Sequence, residues 1–97
     1  MLIVGGEFHV DPEQREAFLA GRVAAIEQSR AEPGCLEYAF AADPIDPGRV
    51  ILFERWESQE ALDEHLKVIR SRPPSAGPAP TSASVKLYEI SAERPLG

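Results

Sequence analysis

Between residues 35 and 57 the chain carries two alternating runs, "CLEYAFA" and "RVILFERWE", with "DPIDPG" between them. A two-residue repeat marks a strand, and the intervening prolines, aspartates and glycine favour a turn or short loop, so the segment reads as a β-hairpin with strands over 35–41 and 49–57. The second run limits the fold further, because both of its alternating sets are apolar: Val50, Leu52 and Trp56 on one side, Ile51 and Phe53 on the other. A sheet with one face in water shows polar residues there. The second face is therefore expected to be covered by another subunit.

The flanking segments carry their own periods. Residues 2–10 set Leu2, Val4, Gly6 and Phe8 on one face and Ile3, Gly5, Glu7 and His9 on the other, which is a strand. "DPEQ" follows, with Asp11 as N-cap, Pro12 suited to the first helical position and Gln14 at the third, where a capping-box side chain reaches back. This predicts a helix over 12–31, ended by "EPGC", with an apolar arc of Phe18, Leu19, Val23 and Ile26 that encloses Arg22. Ser58 caps a second predicted helix to about residue 70, with Leu62, Leu66 and Ile69 as its buried stripe. "RPPSAGPAPTSAS", residues 72–84, holds four prolines and reads as a loop, and residues 85–90 alternate as a last strand. The order is strand, helix, strand, strand, helix, strand in one domain over 1–97. That order predicts the α+β, ferredoxin-like βαββαβ arrangement, an antiparallel sheet with two helices on one face, paired with a second copy through the sheet.

Several function classes are disfavoured. A chain of 97 residues builds one small core. Its 16 acidic and 10 basic residues give a net charge of −6, which repels a phosphate backbone, so nucleic acid is not an expected partner. RNA-recognition domains share this order of elements and place aromatics as Phe8 and Phe53 stand here, but the basic, glycine-containing strand motif is missing. No run of 18 apolar residues spans a bilayer, and "MLIVGGEFHV" lacks the basic region of a secretory signal, so a membrane partner is not expected either. The single Cys35 is consistent with a reducing, cytoplasmic setting. One cysteine and two distant histidines provide no zinc spacing, and "LIVGG" lacks the G-x-G-x-x-G of a nucleotide loop. Gly5 and Gly6 read instead as a bulge or a close approach by a neighbour.

The stretches "EPGCLEY" (32–38), "FERWES" (53–58) and "EALDEHL" (60–66) resemble the antibiotic biosynthesis monooxygenase domains, small dimeric α+β barrels that include quinol monooxygenases and, more distantly, haem-degrading enzymes. The resemblance implies cofactor-independent oxygenation of an electron-rich aromatic such as a quinol or polyphenol. In such a reaction the enzyme helps to deprotonate the substrate and the anion itself reduces dioxygen, with no metal or flavin required. Where the family pattern continues the second helix into a further helical segment, "SRPPSAGPAP" interrupts it here.

Each candidate residue carries two readings. His65, placed beside the Leu62, Leu66 and Ile69 stripe, is either a general base or donor toward a phenolic oxygen, or a semi-buried histidine satisfied by a carbonyl or by a carboxylate such as Glu54. Trp56, on the face of Glu54, is either a stacking wall for a planar substrate or plain core. Tyr38, aligned with Leu36 and Phe40, is a pocket donor or a satisfied core group. Arg22 binds an anionic oxygen or snorkels to water. His9 pairs with Glu7 on one face and carries no catalytic role in this reading. The enzymatic assignment is His65 as catalytic base with Trp56, Tyr38, Arg22 and Glu54 around the substrate. The alternative is a non-catalytic dimeric domain that binds a small apolar ligand or is purely structural.

Overall fold

A computed structural model describes residues 1–97. Four strands form one antiparallel sheet: β1 (Leu2–His9), β2 (Cys35–Ala42), β3 (Arg49–Trp56) and β4 (Ser82–Glu89), in the spatial order β2-β3-β1-β4. The hairpin β2–β3 pairs Phe40 with Leu52 and Tyr38 with Glu54, and β1 lies between β3 and β4, opposing Leu2 to Trp56 on one side and to Glu89 on the other. The helices α1 (Arg15–Ala20), α2 (Val23–Arg30) and α3 (Gln59–Ser71) pack on the same face. Phe18 of α1 joins Val10 and Val50, whereas Leu62 of α3 joins Leu2, Tyr38 and Trp56, with Ile26 of α2 against them. This is the ferredoxin-like α+β fold expected from the order of periods.

The single helix expected over 12–31 is instead three pieces. Pro12–Gln14 form a 3-10 turn, capped as expected by the Asp11 side chain accepting from the Glu13 amide. The α-helical run then breaks at Gly21 and Arg22, where the Arg22 amide bonds back only three residues, to the Leu19 carbonyl. Glycine is a poor interior helix residue, and here its bare Cα is used: a Cβ on Gly21 would run into the Ala76 carbonyl. Gly77, at a positive φ of 91°, lets the same segment close over the break. The kink rotates α2, so Val23 is 49% exposed rather than buried, and Ala25, Ile26 and Ser29 point inward.

Three smaller expectations shift for local reasons. A bulge between Cys35 and Glu37 sets Leu36 outside the ladder and exposes it, separating it from the buried Tyr38. The last strand starts at Ser82 rather than residue 85, because β1 offers Glu7 and His9 as ladder partners to Ser84 and Ser82. On α3, capped by Ser58 as predicted, the buried positions are Leu62 and His65, whereas Ile69 is 40% exposed. Burial along α3 thus falls off toward its C-terminus, where Ile69 lines the cavity described next.

Candidate active site

Two depressions meet the helix–sheet interface. The first, about 460 Å³, is an outer groove between the turn at 32–34 and α3, lined by His65 among others, with Glu32, Glu57, Glu60 and Glu64 around it. Four carboxylates repel a phenolate or any other anion, so this groove does not suit the expected chemistry. The second, about 310 Å³, lies between α2, the end of α3 and the strand β2. Its walls are Tyr38 and Phe40 from the sheet, Arg22 and Ala25 from the α1–α2 junction, Ile69 from α3, and Arg72 to Ser75 as a roof. An apolar lining with a few convergent polar groups is the usual composition of a small-molecule site.

The sheet positions Tyr38, and the helix break positions Arg22. Tyr38 stands at the centre of β2, and burial pushes its hydroxyl up to about 12, with the Glu54 carboxylate adding to the rise and Ser29 and Arg72 opposing it. It therefore stays protonated as a donor near neutral pH. Arg22 lies over the Phe18 ring, 4.4 Å from its centroid, and donates from Nη1 to Ser75 Oγ at 2.8 Å. Its Nε is sealed and has no hydrogen-bond partner, and desolvation lowers the guanidinium pKa from its ordinary value. Arg22 thus keeps its Nε sealed and unpaired and finds no carboxylate, while the residue as a whole is only half-buried.

His65, Glu54 and Trp56 form a second group behind the Tyr38 wall. His65 is 1% exposed, with Nδ1 2.5 Å from Glu32 Oε1 and Nε2 3.8 Å from Glu54 Oε1, beyond hydrogen-bonding range. The carboxylate at Nδ1 assigns the proton there in the neutral ring and leaves the Nε2 lone pair without a partner. The Trp56 indole donates to Glu54 Oε1 at 2.9 Å and lies 4.4 Å, centroid to centroid, from the His65 ring. Burial raises the Glu54 pKa, against the opposing pull of the Trp56 N–H and of nearby His65. Tyr38 bridges the two groups, its ring centroid 5.4 Å from that of His65.

Five residues named from the sequence therefore fall into two sets. Arg22 and Tyr38 line the cavity, whereas His65, Trp56 and Glu54 are packed behind Tyr38. Glu32 and Arg72 were missed. The "EPGC" motif was read as a helix stop and as part of the family-like stretch, with no role for Glu32 itself, although a glutamate before a turn can reach back over the neighbouring helix. Arg72 stands in the proline-rich run, whose path no local pattern specifies. His9 meets Glu7 on the opposite sheet face, Nε2 to Oε2 at 2.5 Å, and Glu7 also accepts from Arg49 Nε at 3.0 Å. No three His, Cys, Asp or Glu side chains converge closely enough to hold a metal ion. No helix is long and apolar enough to cross a membrane.

Comparison with known proteins agrees with this architecture. The family model for antibiotic biosynthesis monooxygenase matches residues 1–68. An uncharacterised Synechocystis protein, sll1783, is 33% identical over 102 residues, covering 98% of this chain and 67% of its own length. Rv0793 of Mycobacterium tuberculosis is 44% identical over 54 residues, which span 56% of this chain and 52% of that protein. The solved structure of Rv0793 superposes with a TM-score of 0.69 at 30% identity, over 95% of this chain and 96% of that one. A Deinococcus radiodurans structure has a TM-score of 0.76 at 19% identity, covering 100% and 99% of the two chains, and shows the fold alone. With the family model matched from β1 into α3 and the fold shared beyond it, the chain belongs to the antibiotic biosynthesis monooxygenase family.

Proposed function

We propose that the protein is a cofactor-independent monooxygenase acting on a quinol or polyphenol bound in the cavity between β2 and the helices. The observation that carries this reading is the pairing, in one apolar cavity, of a protonated tyrosine and a guanidinium without a carboxylate partner. Both stabilise a phenolate oxygen, one by donating a hydrogen bond and the other by charge. A quinol anion is electron-rich enough to reduce dioxygen. Transfer of one oxygen atom to the ring and release of the other as water takes hydroquinone and O2 to hydroxyquinone and H2O, which balances. In this proposal Tyr38 contacts the substrate, Arg22 offsets its charge, and His65, which does not line the cavity, takes the Tyr38 hydroxyl proton as the substrate's proton replaces it. A neutral imidazole held at Nδ1 by Glu32 is in the base-competent tautomer, and Trp56 and Glu54 keep it in place.

The test is oxygen uptake by purified protein with a panel of hydroquinones, each corrected for autoxidation in buffer. Tyr38→Phe and His65→Gln should each lower the enzyme-dependent rate at least tenfold. His65→Gln should also flatten the fall in rate toward acid pH, since glutamine takes no proton. A wild-type rate and the same acid limb in His65→Gln would make it a packing histidine, and no uptake with any quinol would remove the oxygenase reading. A second reading, a non-catalytic dimeric domain that binds a small apolar molecule, draws support from the 1% exposure of His65 and its contact with Glu32.

The proposed assembly is a homodimer through the sheet. Ile51 is 37% exposed on the outer face beside the half-buried Phe53, and Tyr88 of β4, paired with Ile3, is 49% exposed on the same face. An apolar area of this kind on a small domain marks an interaction surface. A cytoplasmic location is proposed with it, on the lone unpaired Cys35.

A further inference from the structure

The distribution of charge around the cavity is opposite to that of the chain. With 16 acidic residues against 10 basic, a randomly chosen arginine here should find a carboxylate. Four of the eight arginines do so or bond backbone carbonyls. Arg49 is held by Glu7 and Asp43, Arg55 by Glu37, Arg15 by the Asp43 and Asp46 carbonyls, and Arg30 by the Tyr38 carbonyl. The cavity is walled by two arginines, Arg22 and Arg72, and by no acidic side chain. Neither makes a salt bridge.

Arg22 is also fixed rather than free. Its stem and guanidinium lie on Phe18, its Nη1 is held by Ser75, and its Nε is sealed from solvent without a partner. A half-buried guanidinium with no carboxylate partner is favoured by an anionic ligand that supplies the missing charge. The segment that anchors it, Arg72 to Ser75, also delivers the second guanidinium, and close packing of Gly21 against Ala76 holds that segment down. Volume is the other consideration. A cavity of roughly 150 Å³ admits benzene, so about 310 Å³ has room for a ring bearing several polar substituents.

We propose that the Arg22–Arg72 wall is a carboxylate-binding subsite, and that the substrate is a single-ring aromatic acid, a dihydroxybenzoate-type quinol whose carboxylate pairs with the two guanidinium groups while its phenolic oxygen faces Tyr38. Guanidinium groups suit this role because their planar fork matches a carboxylate and remains charged when desolvated. The proposal rests on the reading of this cavity as the substrate site. It goes beyond that reading by requiring a second anionic group on the substrate.

The experiment compares 2,5-dihydroxybenzoate, its methyl ester and hydroquinone by calorimetric titration into the full chain at pH 7. The acid should bind at least tenfold more tightly than the ester, and that preference should weaken as salt is raised. Arg72→Gln should reduce the preference at least threefold, and Arg22→Gln should reduce it to within about twofold of none, with Arg22→Lys retaining part of it. Equal binding of acid and ester by the wild type overturns the subsite. Arg72 lies outside any helix or strand, so Arg72→Gln should fold even if Arg22→Gln does not, and an unchanged preference in Arg72→Gln alone overturns the two-arginine site. Oxygen uptake with the same three compounds separates the two ideas. A preference for the acid without uptake keeps the subsite and removes the oxygenase, whereas uptake without preference does the reverse.

Discussion

Replacing Trp56 with alanine is the sharpest test of how the site is supported. The indole is fully buried with Leu2, Tyr38 and Leu62, stacks near His65 and donates to Glu54. An indole that removes about 150–250 Å² from water contributes roughly 4–6 kcal/mol at about 25 cal/mol per Å², and aromatic truncations in cores cost about 3–5 kcal/mol. A domain of this size has about 5–15 kcal/mol in total. Trp56→Ala should therefore stand at the margin of folding, and a loss of 3 kcal/mol lowers Tm by roughly 12–24 °C. Trp56→Phe isolates the polar part, since it keeps most of the ring packing and withdraws the donor from a buried carboxylate. That change should cost about 1–3 kcal/mol, and less in a Glu54→Gln background, where no charge is left without its donor. Urea melts followed by circular dichroism at fixed protein concentration measure the wild type, Trp56→Ala, Trp56→Phe, Glu54→Gln and the Trp56→Phe/Glu54→Gln double variant. If Trp56→Ala stays within about 1 kcal/mol of wild type, the indole lines open space and belongs to the cavity after all. If Trp56→Phe costs the same with and without the Glu54 carboxylate, the N–H contact does not hold the cluster.

Further outcomes follow from the geometry. Burial raises the Glu54 pKa above its ordinary 4.5, so its contribution to stability is full below that value and is lost as pH rises through the folded pKa. Glu54→Gln should accordingly gain on the wild type in urea midpoint between pH 4 and pH 7, and a difference independent of pH would contradict the burial argument. A side chain on Gly6 would meet the β4 backbone, with its Cβ 2.7 Å from the Val85 Cα and against the Ser84 carbonyl. Gly6→Val should thus part β1 from β4, seen as fast amide exchange across β4 or loss of the fold, and retained protection would refute it. Phe53→Glu places a charge on the outer sheet face and should shift a wild-type dimer to monomer in sedimentation velocity. A wild type that sediments as a monomer at micromolar concentration would leave that apolar face without its proposed partner.

The elements were legible because each declares itself through local chemistry. The hairpin announces itself by alternation around "DPIDPG", and Asp11 and Ser58 accept the amides that their positions predict. The errors fall where a distant segment decides. Gly21 breaks the first helix because the Ala76 carbonyl packs against it, a contact between residues more than fifty apart that no helical period registers. On α3 the apolar stripe pointed to Ile69, yet His65 is the more deeply buried, since the sheet leaves room for an imidazole held by Glu32 and burial falls off beyond it.

By itself, then, the sequence determined the order of strands and helices, the face of the sheet on which they pack, and the residue types available for chemistry, because repeat and capping act over a few neighbours. Only the tertiary structure decided which of those residues share a space. Arg22 and Tyr38 face a cavity while His65, Trp56 and Glu54 are sealed behind it, because the depth of a side chain depends on the helix kink, on how α3 packs and on the path of Arg72 to Ser75. Each of these is set by packing between segments far apart in the chain, where burial and close contact outweigh local preference.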